Sequence, residues 1–263
     1  MTKVSKIWII FSYLIAFLSG LSSLLGIFTA SPYSQETANW ALQAVGQDIG
    51  NLIAIIVFLF SIYYLSKKSI KAFLIWTGTL FYFIYAYLIY AFFIHFNYLF
   101  LIYVAVLGLS FYTLIGSLME QNFKNIVKSF TSKHEKLAGF LLIVVGSLFS
   151  ILWLSEIIPA LVSDSILKSL INTGLWVNPI QVIDLSIVLP AMIITGILLI
   201  KGNNLGRMFS VPWLIFSFLM SASIVSNMIM ELTNGNYSAI IPLVMVGTIA
   251  VLSGVTVANI LKK

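Results

Sequence analysis

Cysteine and charge are what this sequence lacks. Its 263 residues include no cysteine, and only 8% are charged, against about 25% in an average soluble domain. The absence of cysteine excludes a disulfide framework, a thiolate zinc or iron–sulfur site and a cysteine lipid anchor. The scarcity of charge excludes a disordered chain, a DNA-binding domain and a cytosolic enzyme, because each needs polar residues to cover its exterior.

Long apolar runs fill the chain instead. Apolar residues make up 60% of the sequence, and the mean hydropathy is +1.07. A bilayer core about 30 Å thick needs roughly 20 apolar residues per helix. Eight segments meet that length, at about 7–29, 47–66, 72–94, 98–118, 137–157, 179–200, 208–230 and 237–260. None alternates as a barrel strand does. The predicted fold is therefore an all-α integral membrane bundle of eight transmembrane helices.

The basic residues predict how the chain crosses the membrane. Of the 14 lysines and arginines, all but Lys168 lie in segments on one side of the predicted bilayer. The positive-inside rule makes that side cytoplasmic. We therefore predict a multi-pass protein of the plasma membrane with both termini in the cytoplasm. The formal charge divides into +11 inside and −5 outside, and six of the eight acids are outside. The basic residues form no run or aromatic-interleaved patch, so the expected partner is the lipid bilayer and not nucleic acid.

The chain divides into two halves of four spans. Half one covers residues 1–118, a cytoplasmic loop covers 119–136, and half two covers 137–263. In each half a tryptophan precedes an aspartate by eight residues at the start of the second span, as Trp40 precedes Asp48 and Trp176 precedes Asp184. This pattern favours two parallel four-helix repeats. Coincidence is the alternative.

Asp184 is a candidate functional group because a charge within a lipid-embedded span is costly. Asn178 is placed to cap the sixth span, with Pro179 in the first turn and Gln181 closing a capping box. That start puts Asp184 about four residues inside the helix. Pro190 is expected to kink the helix and open space beside it.

Asp48 enters the second span in a similar position. For both aspartates the alternative is structural, since an acid near a helix N-terminus is stabilised by the helix dipole.

If the helices pack as a bundle, polar groups at the outer ends of the spans line one outward-facing cavity: Asp48, Asp184, Glu156, His95, Gln47, Asn97 and Asn178. Such a site could bind a small cationic solute, a proton or a divalent cation. The candidate ligands for a metal are Asp48, Asp184, Glu156 and His95. The sequence identifies no cofactor and no oligomeric state.

Tyrosines and glycines add secondary expectations. Tyr90 and Tyr98 fit the aromatic belt of a membrane interface. Tyr85 and Tyr87 lie deeper and need hydrogen-bond partners, so they either line the same cavity or pack in the core. Five glycines are predicted to mark close helix contacts: Gly78, Gly108, Gly116, Gly146 and Gly196.

Several short strings between residues 35 and 200 share a pattern. They are Gly46-Gln47-Asp48, Trp76-x-Gly78, Phe96-Asn97-x-Leu99-Phe100-Leu101-x-Tyr103, Leu107-Gly108-Leu109-Ser110, Ile158-Pro159-Ala160, Asn178-Pro179, Asp184-Leu185 and Leu189-Pro190-Ala191. Together they resemble a family of uncharacterised multi-pass bacterial membrane proteins. Where that pattern tends to have an aspartate, this chain has Glu156. The family has no known activity, so the resemblance implies a membrane fold and supplies no substrate or reaction.

Three functions follow as hypotheses. The leading one is a permease-like protein for a small solute or ion, with Asp48 and Asp184 as paired ligands in an outward-facing acidic site. The second is an intramembrane or periplasm-facing metal-dependent enzyme that uses the same carboxylates. The third is a non-catalytic accessory or sensor subunit. Repeats are common in carriers, and the sequence contains no catalytic motif. The residues therefore favour the permease-like protein over an enzyme.

Overall fold

The computed structural model describes residues 4–29, 31–122, 126–127 and 134–262. These residues form helices and connecting turns, with no strand among them. Within the described ranges, eight helices are long and apolar enough to cross a membrane. Half of the predicted loop 119–136 lies outside the described residues, as do five of the basic residues used to predict orientation: Lys3, Lys124, Lys128, Lys133 and Lys263.

The eight long helices confirm the eight predicted spans. They are α1 (Lys6–Phe28), α2 (Ala38–Ser66), α3 (Ile70–Phe93), α4 (Phe100–Met119), α5 (Glu135–Val162), α6 (Pro179–Ile200), α7 (Asn204–Thr233) and α8 (Ile240–Leu261). A short helix, Lys168–Thr173, lies between α5 and α6, and we refer to it as the loop helix. The end of the bundle that carries Glu36 and the loop helix is called the acidic end. The opposite end, where α2 meets α3, is called the basic end.

Helix α2 begins nine residues before its predicted start. Thr37 caps it by accepting a hydrogen bond from the Trp40 amide (3.3 Å). Hydropathy missed this segment because its residues are partly polar, although none of them is a proline. The longer helix corrects the account of Asp48, which lies ten residues, or about 15 Å, from the start of α2. The helix dipole acts within the first turn and therefore does not explain this acid.

Two helices form the centre of the bundle. In their most apolar windows, 72% of the residues of α3 and 61% of those of α7 are buried, against 28–39% for the other six. Helix α7 packs against both α2 and α3, and this contact joins the two halves. Trp76 and Leu214 are fully buried on the two central helices. Function that depends on both halves is therefore expected at the contact of α2 and α3 with α7.

Each half has the same order of neighbours. Helices α1 to α4 pack consecutively, and α1 also contacts α4; helices α5 to α8 repeat this, with α5 contacting α8. The tryptophans of the predicted repeat differ, however. Trp40 is 5% exposed and donates to the Phe93 carbonyl (3.0 Å), whereas Trp176 is 98% exposed. The duplication stays a prediction.

Helix α6 contains a π-helical turn at Asp184–Val188. The Leu189 amide donates to the Asp184 carbonyl, five residues earlier. The turn comes directly before Pro190, which has no amide hydrogen and whose ring would collide with the Ser186 carbonyl in a regular α-helix. Widening the turn accommodates the proline. The predicted distortion at Pro190 thus takes the form of a π turn, a feature frequent at functional sites.

Glycines set the closest helix contacts, with one exception to the prediction. A Cβ at Gly78, Gly116, Gly146 or Gly196 would overlap a neighbouring helix, whereas Gly108 has nothing within 4 Å of that position. The prediction for Gly108 is wrong, because its face of α4 is turned away from the other helices.

Candidate functional site

A cavity of about 290 Å³ lies between the two halves, enclosed by α2, α3 and α5 to α8. Its walls are mainly apolar and aromatic, with contributions from Tyr85, Phe149, Trp153, Phe216 and several methionines. Its polar groups are few: Gln43, Gln47, Asp184, Ser217, Ser221 and Asn227. An apolar cavity with a few convergent polar groups is the usual form of a small-molecule site.

Asp184 is the acid that lines this cavity. It is 8% exposed, and each carboxylate oxygen accepts one hydrogen bond: Oδ1 from the Tyr85 hydroxyl (3.1 Å) and Oδ2 from the Trp153 indole (2.8 Å). The two donors come from α3 and α5, one from each half. They fix the carboxylate in place and leave lone pairs on both oxygens for a ligand.

Glu156 forms a second link between α5 and α6, one turn from the Trp153–Asp184 pair. Its Oε2 accepts a hydrogen bond from the side-chain amide of Gln181 (2.7 Å), and its Oε1 accepts one from the backbone amide of Ser169 in the loop helix (3.2 Å). Asn178 caps α6 as predicted, accepting from the Ile180 and Gln181 amides. The predicted capping box is only half formed, because the Gln181 side chain turns to Glu156. The predicted site residues Glu156 and Asn178 thus support the acidic end and lie outside the cavity lining.

Replacing Glu156 with alanine is expected to loosen the loop helix without unfolding the protein. The Ser169 amide loses its acceptor, a loss of about 1 kcal/mol that speeds local hydrogen exchange roughly fivefold. Hydrogen–deuterium exchange over Lys168–Thr173 measures this. The control is Glu231→Ala, which removes an acid bonded to Asn236 (2.8 Å) at the end of α7. Unchanged exchange at Lys168–Thr173 in the Glu156 variant would contradict the assigned role.

Asp48 lies in a separate polar cluster within half one. It is 1% exposed, and its Oδ2 and Oδ1 accept from the hydroxyls of Tyr33 (2.7 Å) and Tyr90 (2.9 Å). A side chain at Gly26, in the last turn of α1, would overlap the carboxylate, so glycine is required there. Asp48 is therefore level with the last turn of α1 although it is ten residues into α2.

A chain of hydrogen bonds connects this cluster to the cavity wall. The Asn51 amide lies 3.5 Å from the Tyr90 hydroxyl, and its Oδ1 accepts from Tyr82 (2.9 Å). The Gln47 side chain donates through its Nε2 to the Tyr82 hydroxyl (2.9 Å) and accepts at its Oε1 from the Ser223 hydroxyl of α7 (2.8 Å). Gln47 also lines the cavity. It is the predicted site residue that belongs to both regions.

His95 and Asn97 hold the loop that covers Asp48. The Glu36 carboxylate accepts from the His95 amide (2.6 Å) and lies 3.0 Å from its ring Nδ1. Asn97 donates to the Pro32 carbonyl (3.2 Å), next to Tyr33. Burial, and then the nearby Asp48 carboxylate, raise the pKa of Tyr33 well above its usual value, so its hydroxyl stays a donor. His95 and Asn97 therefore hold the loop that positions Tyr33 against Asp48, and neither lines the cavity.

The seven predicted site residues are thus distributed over three places. Asp184 and Gln47 line the cavity, Asp48 lies behind Gln47, and the other four support the acidic end. Among the described residues, no group of three or more histidines and acids is close enough to hold a metal ion. Asp48, Asp184, Glu156 and His95 are therefore not gathered into a metal site.

Two residues of the site had no distinct signal in the sequence. Trp153 and Gln43 line the cavity, and neither occurs in a motif. Tyr85 lines the cavity as expected, whereas Tyr87 bonds to Ser22 in half one (2.7 Å). The prediction that Tyr90 lies in the aromatic belt of the membrane interface is wrong, because Tyr90 is 3% exposed and bonds to Asp48. A tyrosine near a span end reads the same in the sequence whether it faces lipid or the core.

Comparisons with protein-family models, curated proteins and solved structures found no match for this chain. The family resemblance accordingly stays a prediction.

Proposed function

We propose that this protein is a permease-like membrane protein that binds a small organic cation at Asp184. The observation that carries the proposal is a nearly buried carboxylate on the wall of a mainly apolar cavity, to whose lining the described part of the chain contributes no basic residue. A cation that enters this cavity meets an acid already held in position. Its desolvation is then offset by a charge–charge interaction in a low-dielectric environment.

The rest of the lining supports an organic cation over a bare metal ion. Tyr85, Trp153 and Phe216 offer aromatic faces for a cation–π contact. The Asn227 side chain also lines the cavity and adds a neutral polar group, so the described lining has no second charge that would favour a bare metal ion. The apolar walls suit a hydrocarbon body, and a volume of about 290 Å³ is close to the lower limit for small-molecule sites, roughly 300 Å³.

The position of the cavity supports transport. It lies where the two halves meet, and in carriers built of repeats the substrate binds at that interface while the halves move around it. A metal-dependent enzyme would need the carboxylates to converge, whereas Asp48 and Glu156 lie in networks separate from Asp184. The accessory or sensor function stays the alternative, because a sensor could bind the same ligand without moving it.

Charge selectivity tests the proposal. We expect the purified protein to bind phenethylammonium saturably, to bind neutral phenethyl alcohol at least about tenfold more weakly, and not to bind phenylacetate. Isothermal titration calorimetry measures the three affinities. Equal binding of the three probes, or none by the cation, would refute the site. Uptake of phenethylammonium by reconstituted vesicles then separates a permease from a sensor, since a sensor binds the cation without accumulating it.

A further inference from the structure

We infer that Asp48 is a proton-binding site, reached from the cavity side through the hydroxyl of Tyr90. This site is distinct from the cation site at Asp184 and does not depend on it.

Among the residues that the structure describes, Asp48 has no cationic partner. None of the described lysine, arginine or histidine side chains forms an ion pair with it. The described titratable groups that interact electrostatically with its carboxylate are tyrosines from the α1–α2 loop, α3 and α4: Tyr33, Tyr82, Tyr87, Tyr90 and Tyr103. Helix α7 contributes the neutral Ser223 and Asn227 opposite Gly50 and Gly46. A charged carboxylate without a counter-ion is costly at 1% exposure, and binding a proton removes that charge.

Tyr90 can bond to Asp48 in either protonation state. Its hydroxyl has one hydrogen and two acceptors within reach, Oδ1 of Asp48 (2.9 Å) and the carbonyl of Ala44 (3.2 Å). When Asp48 is charged, Tyr90 donates to it. When Asp48 is protonated, the carboxylic acid donates to the Tyr90 oxygen and Tyr90 donates to Ala44. No polar group is left unpaired in either state, so the cost of changing between them is low.

A second cavity provides access for the proton. It has a volume of about 50 Å³, and its mainly apolar lining includes four polar side chains, Gln43, Gln47, Tyr90 and Asn227. Gln43, Gln47 and Asn227 also line the larger cavity, so the two are neighbours. A space of this volume can hold a water molecule that bonds to these polar side chains. A proton delivered by such a water binds the Tyr90 oxygen as the Tyr90 hydrogen passes to Oδ1 of Asp48. One O–H bond of the protonated water and one of Tyr90 break, while one forms on Tyr90 and one forms on Asp48, so the water is left neutral.

Infrared difference spectroscopy of the protein in lipid vesicles tests the inference without any cavity ligand. On lowering the pH, we expect the carbonyl stretch of a protonated carboxylic acid to appear, to be missing in Asp48→Asn and to remain in Asp184→Asn. In Tyr90→Phe the band should appear about tenfold or more slowly after a pH jump, because the relay is broken. Tyr85→Phe is the matched control, since it removes a tyrosine of the same helix that bonds to Asp184.

Three results would overturn the inference: no band that Asp48→Asn removes, such a band that does not change with pH, or an unchanged rate in Tyr90→Phe. If Tyr90→Phe does not fold, Tyr33→Phe takes its place. The Tyr33 hydroxyl bonds to Oδ2 of Asp48 and stabilises the charged form. Its loss should move the midpoint of the Asp48 band upward by about one pH unit. An unchanged or lower midpoint would equally overturn the inference.

Discussion

Asp184→Asn is expected to weaken phenethylammonium binding by about 30-fold to 1,000-fold, equivalent to roughly 2–4 kcal/mol. The substitution keeps the size of the side chain and removes its charge. The bound ammonium then loses its counter-charge, since no other described residue of the lining is an acid. An asparagine amide also cannot accept from both Tyr85 and Trp153, so one of these donors loses its partner.

Asp164→Asn is the matched control for this experiment. Asp164 is an exposed acid on the acidic end, with a φ of 49° that asparagine adopts readily. The control makes the same chemical change and alters the same net charge, but it lies outside the cavity. We expect its affinity for phenethylammonium to stay within about twofold of the native value. Thermal unfolding of both variants shows whether the fold is retained. Native affinity in a folded Asp184→Asn protein would eliminate Asp184 as the ligand.

Gly50→Ala should be the more damaging of two glycine substitutions on helix interiors. A Cβ at Gly50 would lie 2.7 Å from the Cα of Ser223, so α2 and α7 would have to separate. Overpacking of this kind costs about 1–3 kcal/mol. Because Ser223 bonds to Gln47, the change also displaces a wall of the cavity. The melting temperature should fall by several degrees, and phenethylammonium binding should weaken with it.

The comparison for this prediction is Gly108→Ala. Gly108 is also within a helix, yet nothing lies within 4 Å of an added Cβ. Alanine has the higher helix propensity by about 1 kcal/mol, so stability should stay level or rise. Unfolding of both variants in the same detergent, followed by circular dichroism, tests the pair. Equal melting temperatures would indicate that α2 and α7 do not rely on the small residue at position 50.

Hydropathy predicted the helices well and their starts less well. The eight spans follow from apolar length alone, since a bilayer-spanning helix must be apolar for about 20 residues. The start of α2 at Ala38 depends instead on the Thr37 cap and on a partly polar segment that is still helical. That difference of nine residues changed Asp48 from an acid at a helix start into one deep within a helix.

The candidate site was predicted in part. Asp184 stood out because it follows a clear cap and precedes Pro190, which are local signals. Which residues face it could not be predicted in this way. Trp153 lies 31 positions from Asp184 and Tyr85 lies 99, and neither occurs in a motif. Such contacts depend on how α3, α5 and α6 rotate about their axes, which helical periodicity leaves open.

The sequence by itself determined the class of protein and the few polar residues worth testing. Both follow from solvation, because apolar length fixes the spans and a charge placed in a span is too costly to be incidental. Only the tertiary structure decided that Asp184 faces a cavity while Asp48 lies in a tyrosine cluster behind Gln47. The physical reason is that helix rotation and pairing depend on the fit between side chains far apart in the chain. Within the membrane, close packing at small residues such as Gly50 sets that fit.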